Sequence, residues 1–227
     1  MLREVPFGQD GDFSQKALID RINSDLGNDL GNLLNRIMGM SGKYFDFNVS
    51  SKDVEKFHKK EIEEVNSIID SLESYIYNMQ INRYLEDIWK ILTIGNKAIN
   101  DYEPWNLIKD EKTEEAMALV ALITNIMAKV ALLLDCVMPH KIKSIASCLG
   151  LDISTENYNK LILNKELLSD LKITKIDALF PRVEDILLAQ PATSDVSQNE
   201  AEKVDSSKIE LEKLEIEDNL ITIDKFF

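Results

Sequence analysis

Asn32 and Arg36 stand four residues apart in the string NDLGNLLNR, so on a helix they emerge from one face, one turn apart. An amide that both donates and accepts, beside a planar guanidinium with five donors, suits the hydrogen-bonding edges of unpaired nucleic-acid bases. Asn23, Asn28 and Asn35 lie in the same stretch, where asparagines of poor helix propensity interrupt good helix formers. The same amides could instead hydrogen-bond neighbouring helices inside a bundle, and both readings are open at this level. Trp105 follows Pro104 at a helix end rather than along an apolar stripe. Exposed, its indole is a stacking platform for a base, worth roughly 1–3 kcal/mol; buried, it closes the end of the bundle. Trp89 lies on a helical stripe and reads as core.

Catalytic constellations are missing from the sequence. His58 lies among lysines and reads as part of a solvated helix face, and His140 follows Pro139 at a helix start. Neither has a companion Cys or His at metal-ligand spacing, and neither common glycine-rich phosphate loop occurs. The carboxylates fall in helix runs such as Glu61-Ile62-Glu63-Glu64, which read as exposed. Cys136 and Cys148 lie in apolar helices and read as core residues. Two cysteines exclude a disulfide scaffold and a Cys-only zinc site, and point to a reducing compartment. The residues therefore point to binding rather than to a complete enzyme.

The elements that must position these groups are helical. A chain of 227 residues with 44% hydrophobic content can bury a substantial core, while 8 Gly and 5 Pro are too few for a many-stranded sandwich or barrel. Residues 1–12 read as an irregular lead-in. A first helix opens at Ser14 and carries Leu18, Ile22, Leu26, Leu30, Leu33 and Ile37 on one stripe to about Met40, with Gly39 and Gly42 expected to end it. Ser50 and Asp53 resemble a capping box opening a second helix, to about Met79. A third spans about 83–101, ended by Pro104, a fourth about 113–137 and a short fifth about 141–149. From Leu151 to Pro181 the chain reads as loop with one further helix around 165–170. The run from Ala116 to Met138 is long and apolar enough to raise a membrane question, but Asn125, Lys129 and Asp135 interrupt it. It reads as the central helix of a bundle in a cytoplasmic protein with no membrane partner.

The chain carries 26 basic against 40 acidic residues, a formal charge of −14, of which residues 183–227 hold 12 acids and 4 lysines. Such a balance counts against bulk affinity for DNA or RNA and leaves room for a small specific patch. Residues 186–208 are rich in Ser, Asp, Glu and Gln and read as a disordered acidic linker. After them IELEKLEIEDNLITIDKFF regains apolar content and reads as a short helix leading into a strand.

The stretch DGDFSQKALIDRINSDLGNDLGNLLNRIMGMSGKYF resembles the first helix of the anticodon-binding domain of bacterial methionyl-tRNA synthetases, and NDLGNLLNR is a rather specific string for that group. YEPWNLIKD after the third helix and LFPR at 179–182 follow in the order the family has them, so the resemblance covers roughly residues 2–185. NLITIDKFF resembles the first strand of the tRNA-binding OB-fold that many members carry at the C-terminus.

The resemblance implies an all-α fold, a helical bundle of the class I synthetase anticodon-binding type over residues 13–185, followed by the linker and, at 209–227, the start of an OB-fold whose remainder is absent. It implies recognition of the CAU anticodon of methionine tRNA. The family's anticodon-reading residues fall on Asn32 and Arg36, which would hydrogen-bond bases, and on Trp105, which would stack. The family's catalytic domain, with its HIGH and KMSKS signatures, is absent from this sequence, and residues 1–12 resemble the segment that follows it. The expectation is a C-terminal fragment of a methionine–tRNA ligase, inactive alone and holding no cofactor itself. ATP and methionine would bind the absent catalytic domain; the partners would be methionine tRNA and the rest of the synthetase in cis, with no DNA. The alternatives are a helical protein-interaction or scaffold module, with the asparagines buried and Trp105 in an interface, and the anticodon domain of a related class I synthetase such as the cysteine or leucine enzymes.

Overall fold

An apolar helix with no wet side organises the molecule. The structure is a computed structural model that describes residues 2–11, 14–181 and 183; the linker and strand expected over 186–208 and 209–227 lie outside them. Helix α6 (Thr113–Leu134) is buried from Ala118 onward around its whole circumference. It packs against α2 (Asn32–Phe45), α3 (Val54–Tyr77), α4 (Ile81–Tyr102), α5 (Pro104–Lys109) and α7 (Pro139–Leu149). Its length and apolarity would suffice to cross a membrane, but here that surface is covered by protein.

Its polar side chains are satisfied by chain brought to them. Asn125, buried, donates to Ser51 Oγ (2.9 Å) and to the Ala121 carbonyl (2.9 Å), and accepts from the Leu168 amide at 2.7 Å. Lys129 Nζ donates to the Leu161 carbonyl. These bonds hold against α6 a two-stranded antiparallel ladder and its flanks: β1 (Asn48–Ser50) pairs β2 (Asp170–Lys172), with Val49 opposite Leu171.

Several local expectations change. Helix α2 runs through Gly39 and Gly42 to Phe45 because both glycines keep helical geometry. Gly42 has a packing role, since a Cβ there would lie 2.5 Å from the Phe47 ring. The chain stops instead at two left-handed residues, Asp46 (φ 48°) and Phe47 (φ 60°). Ser50 pairs in β1 and caps nothing; α3 begins at Val54, whose amide bonds the Ser51 carbonyl. The late helix lies earlier than 165–170. Helix α8 (Thr155–Tyr158), capped by the Ser154 hydroxyl, leads into a π-helical turn to Leu163. Lys165, at φ 59°, then breaks the helix before β2.

His58 is not on a solvated face. A kink in α3 (φ −131°, ψ 32° at His58) turns its ring inward, where it meets the Tyr102 ring edge-on at 4.8 Å. Burial pushes its pKa below the usual value, so the ring is neutral at pH 7. Cys148 is buried as expected, but Cys136 lies just past the end of α6 and is exposed.

Lys129 gives a test of this core. Burial, with Lys165 adding repulsion, lowers its pKa to about 8. Below pH 8 both folded and unfolded chains hold the proton and the fold bears the cost of a buried charge. Between pH 8 and the ordinary value of 10.5 only the unfolded chain holds it, so stability rises with pH. The stability of the wild type relative to Lys129→Met, from urea unfolding, is expected to rise across that window by up to about 3 kcal/mol. A flat difference would remove the buried-ammonium account.

Candidate nucleic-acid interface

Helix α1 (Gln15–Arg21), capped by the Ser14 hydroxyl bonding the Ala17 amide, does not pass directly into α2. Between them INSDLGNDLG, Ile22 to Gly31, winds as π-helix. Wider turns of this kind are rare and concentrate at functional sites. Here they bring the Leu26 carbonyl close beneath Gly31, where a Cβ would lie only 3.1 Å from it and 3.6 Å from the Phe180 ring. The lead-in braces this segment: Arg3 and Arg21 both pair with Asp25, Glu4 pairs with Arg21, and the Arg3 guanidinium lies 5.2 Å from the ring centroid of Trp89, which is buried as expected.

The segment sets which residues face out. Leu30, Leu33, Leu34 and Ile37 are buried, while Asn28, Asn32, Asn35 and Arg36 are exposed. The two readings of the asparagines therefore divide. Asn23 serves the fold, accepting from the Val183 amide at 3.1 Å, and Asn32 and Arg36 face solvent.

Arg36 has a neighbour that the sequence did not flag. Asn96 on α4 donates through Nδ2 to the carbonyls of Asp29 and Leu92, each at 3.3 Å. Two carbonyls accept only, so they fix the amide orientation and turn Oδ1 outward, where Arg36 Nη1 donates to it at 3.5 Å. Gly95 allows this close approach: a Cβ there would lie 3.3 Å from Leu33 of α2 and 3.5 Å from Ile126 of α6.

Six residues beyond Asn96, about 9 Å of helix rise, α4 ends at Tyr102. Glu103 is left-handed (φ 44°, ψ 70°), a conformation rare outside glycine. Its carbonyl accepts from the amides of Asn106 (2.8 Å) and Leu107 (3.3 Å), and its carboxylate accepts from Asn106 Nδ2 at 2.7 Å. The Tyr102 hydroxyl donates to Glu61 at 2.7 Å, fixing the turn to α3. Pro104, buried at the first position of α5, and Leu107 anchor that helix on α6, and between them Trp105 is left 41% exposed. Trp105 thus stands on the first turn of a new short helix rather than at the end of one. All three sequence-predicted residues are exposed; Asn32 and Arg36 share the open face of α2, which packs beside α4, and Trp105 stands on α5 just past the end of α4.

Residues 50–193 match the family described as the anticodon binding domain of methionyl tRNA ligase, and residues 1–38 match class I tRNA synthetases (M). The chain belongs to the methionyl-tRNA ligase anticodon-binding family. It is 46% identical to the methionine–tRNA ligase of Campylobacter jejuni, over 96% of this chain and 35% of that one. To the Helicobacter pylori J99 ligase it is 41% identical, over 81% of this chain and 28% of that one. The fold matches the apo crystal structure of Mycobacterium tuberculosis methionyl-tRNA synthetase with a TM-score of 0.69 and 28% identity, over 80% of this chain and 37% of that one. The chain therefore spans about a third of the length of the relatives it matches. Family membership sets aside the other class I synthetases.

Asn96 and Glu103 are what sequence reasoning missed. Asn96 is a single polar residue in a helical run, and only the crossing of α4 with the π-helical segment gives it the Asp29 carbonyl; Glu103 stands at the break between α4 and α5. Gly31→Ala tests that segment: its methyl meets backbone rather than a yielding side chain. It is expected to lower stability by about 1–3 kcal/mol, seen as a drop of several degrees in Tm.

Proposed function

We propose that this domain reads the CAU anticodon of methionine tRNA through Asn32, Arg36 and Trp105, on behalf of a cytoplasmic methionine–tRNA ligase whose ATP and methionine chemistry resides on residues outside this sequence. Asn32 and Arg36 hydrogen-bond base edges, and Trp105 stacks on a base. The observation that carries the reading is the exposure of these three groups, with the apolar side chains Leu33, Leu34 and Ile37 of α2 buried beneath the first two. Arg36 keeps most of its donors free, because its one bond to Asn96 is long and engages a single Nη.

Gly39 supports the same reading. It is exposed, lies one turn beyond Arg36 and two beyond Asn32, and nothing approaches within 4 Å of where a Cβ would stand. A glycine inside a helix costs roughly 1 kcal/mol relative to alanine, and no protein packing requires it here. The room it leaves is on the ligand's side.

The experiment is a titration of the chain with an anticodon stem-loop carrying CAU beside one with a changed anticodon. Arg36→Ala is expected to erase the preference for CAU, and Trp105→Ala to weaken binding of the CAU loop by about 5- to 150-fold, the equivalent of roughly 1–3 kcal/mol of stacking. Equal affinity of the wild type for both loops would sink the reading. Gly39→Ala is expected to raise Tm while weakening the CAU loop; a variant that gains stability and loses no affinity would show that the face around Gly39 is not approached.

A further inference from the structure

The chain is strongly acidic, yet one groove is not. Helix α7, PHKIKSIASCL, contains no acid, and neither does the stretch 171–176, LKITKI, that runs beside it. Between α7 and residues 176–179 lies a groove of about 450 Å³ lined by Lys141, Lys143, Ser144, Ser147 and the single acid Asp177. Lys143 is exposed. Lys141 donates one N–H to the Leu179 carbonyl at 3.0 Å and lies 5.5 Å from the centroid of the Phe180 ring, which holds its ammonium at the groove with donors to spare.

The groove is tied to the base-reading helix. The Ile176 amide donates to Met38 Sδ at 3.4 Å, and the Phe180 ring covers Gly31. Residues 176–180 therefore run antiparallel along α2 from Met38 back to Gly31, the same length that carries Asn32 and Arg36 on its open face. Phe180 touches α2 on one side and Lys141 on the other, so the lysine is one aromatic ring away from the helix.

We propose that the groove between α7 and residues 176–179 is a second tRNA contact, in which Lys141 and Lys143 take backbone phosphates of the anticodon stem. The inference rests on the tRNA reading above and adds a sequence-independent grip to it. Lysine ammoniums are compact point charges suited to phosphate oxygens, and the serine hydroxyls of the groove add donors. A backbone contact of this kind releases counterions, so it is visible in the salt dependence of binding and indifferent to base sequence.

The test measures stem-loop affinity of the full chain against salt, with both anticodons, for the wild type, Lys143→Gln, Lys141→Gln and a control, Lys59→Gln, which alters an exposed lysine on α3. Lys143→Gln is expected to weaken both loops by the same factor and to make the slope of log K against log salt shallower by about 0.7–0.9. Lys141→Gln should do the same, and Lys59→Gln should leave the slope unchanged. Unchanged slopes in both groove variants overturn the proposal, as does an equal effect from Lys59→Gln, which would mean bulk charge alone. Loss for one loop only would mean base contact and overturns the backbone assignment, and so does an absence of binding by the wild type at low salt. The two readings fail separately. A wild type that ignores the anticodon but loses slope in Lys143→Gln keeps the groove and loses the base-reading triad; the reverse keeps the triad alone.

Discussion

Everything in this fold answers to the burial of α6. A helix apolar on every side has no stable place at a surface, so other helices must enclose it, and α2, α3, α4, α5 and α7 each cover part of it. Its few polar side chains then act as fixed points, because a buried amide or ammonium without a partner costs several kcal/mol. Asn125 draws in Ser51 and Leu168, and Lys129 draws in the Leu161 carbonyl. The ladder and the irregular chain from 159 to 172 lie where they do because they carry the groups that α6 requires.

The interface follows from that enclosure. Where α2 and α4 cross over α6, Gly95 lets three helices approach to contact distance. The next residue, Asn96, then reaches the Asp29 carbonyl of the π-helical segment and the Arg36 guanidinium. Apolar side chains are drawn into this junction and the polar ones are left on its outer side. The π-helical turns move the phase of the helix so that Asn23 points to the fold while Asn32 and Arg36 point away from it. Gly31, which would be a poor choice in a plain helix, lets the wider turns close against the Leu26 carbonyl. At the far end of α4 the left-handed Glu103 and the prolyl start of α5 do the equivalent for Trp105.

Charge and recognition are arranged on different scales. The whole chain repels polyanions, and this suppresses indiscriminate RNA binding. In the proposed function, recognition is left to neutral amides, one guanidinium and one indole, whose interactions depend on geometry more than on net charge. The acid-free α7 and the stretch 171–176 are the local departure from this pattern, joined to α2 through Phe180.

Much of this was legible in order of residues. The spacing of apolar positions located the long helices and α7 to within about five residues, and the unbroken apolarity of 116–138 marked the central one, because burial on all sides leaves no polar stripe to be misread. Asn32 stood out as a poor helix former, Arg36 as its neighbour one turn on with a guanidinium on the same face, and Trp105 as an indole set after a proline and off any apolar stripe. Other features depended on partners distant in the chain. Gly39 and Gly42 read as stops, since a glycine's cost in an isolated helix is visible in sequence and the Phe47 ring that needs Gly42 is not. His58 read as wet because its neighbours are lysines, while a kink turns its ring to Tyr102, 44 residues on. Sequence by itself determined the bundle, its axis and the chemical types available for reading a base, because these follow from local propensity and hydrophobic period. Tertiary structure decided which asparagines face out, what orients Arg36 and how Trp105 is held open, because each of these depends on a hydrogen bond or a contact between helices that no local pattern encodes.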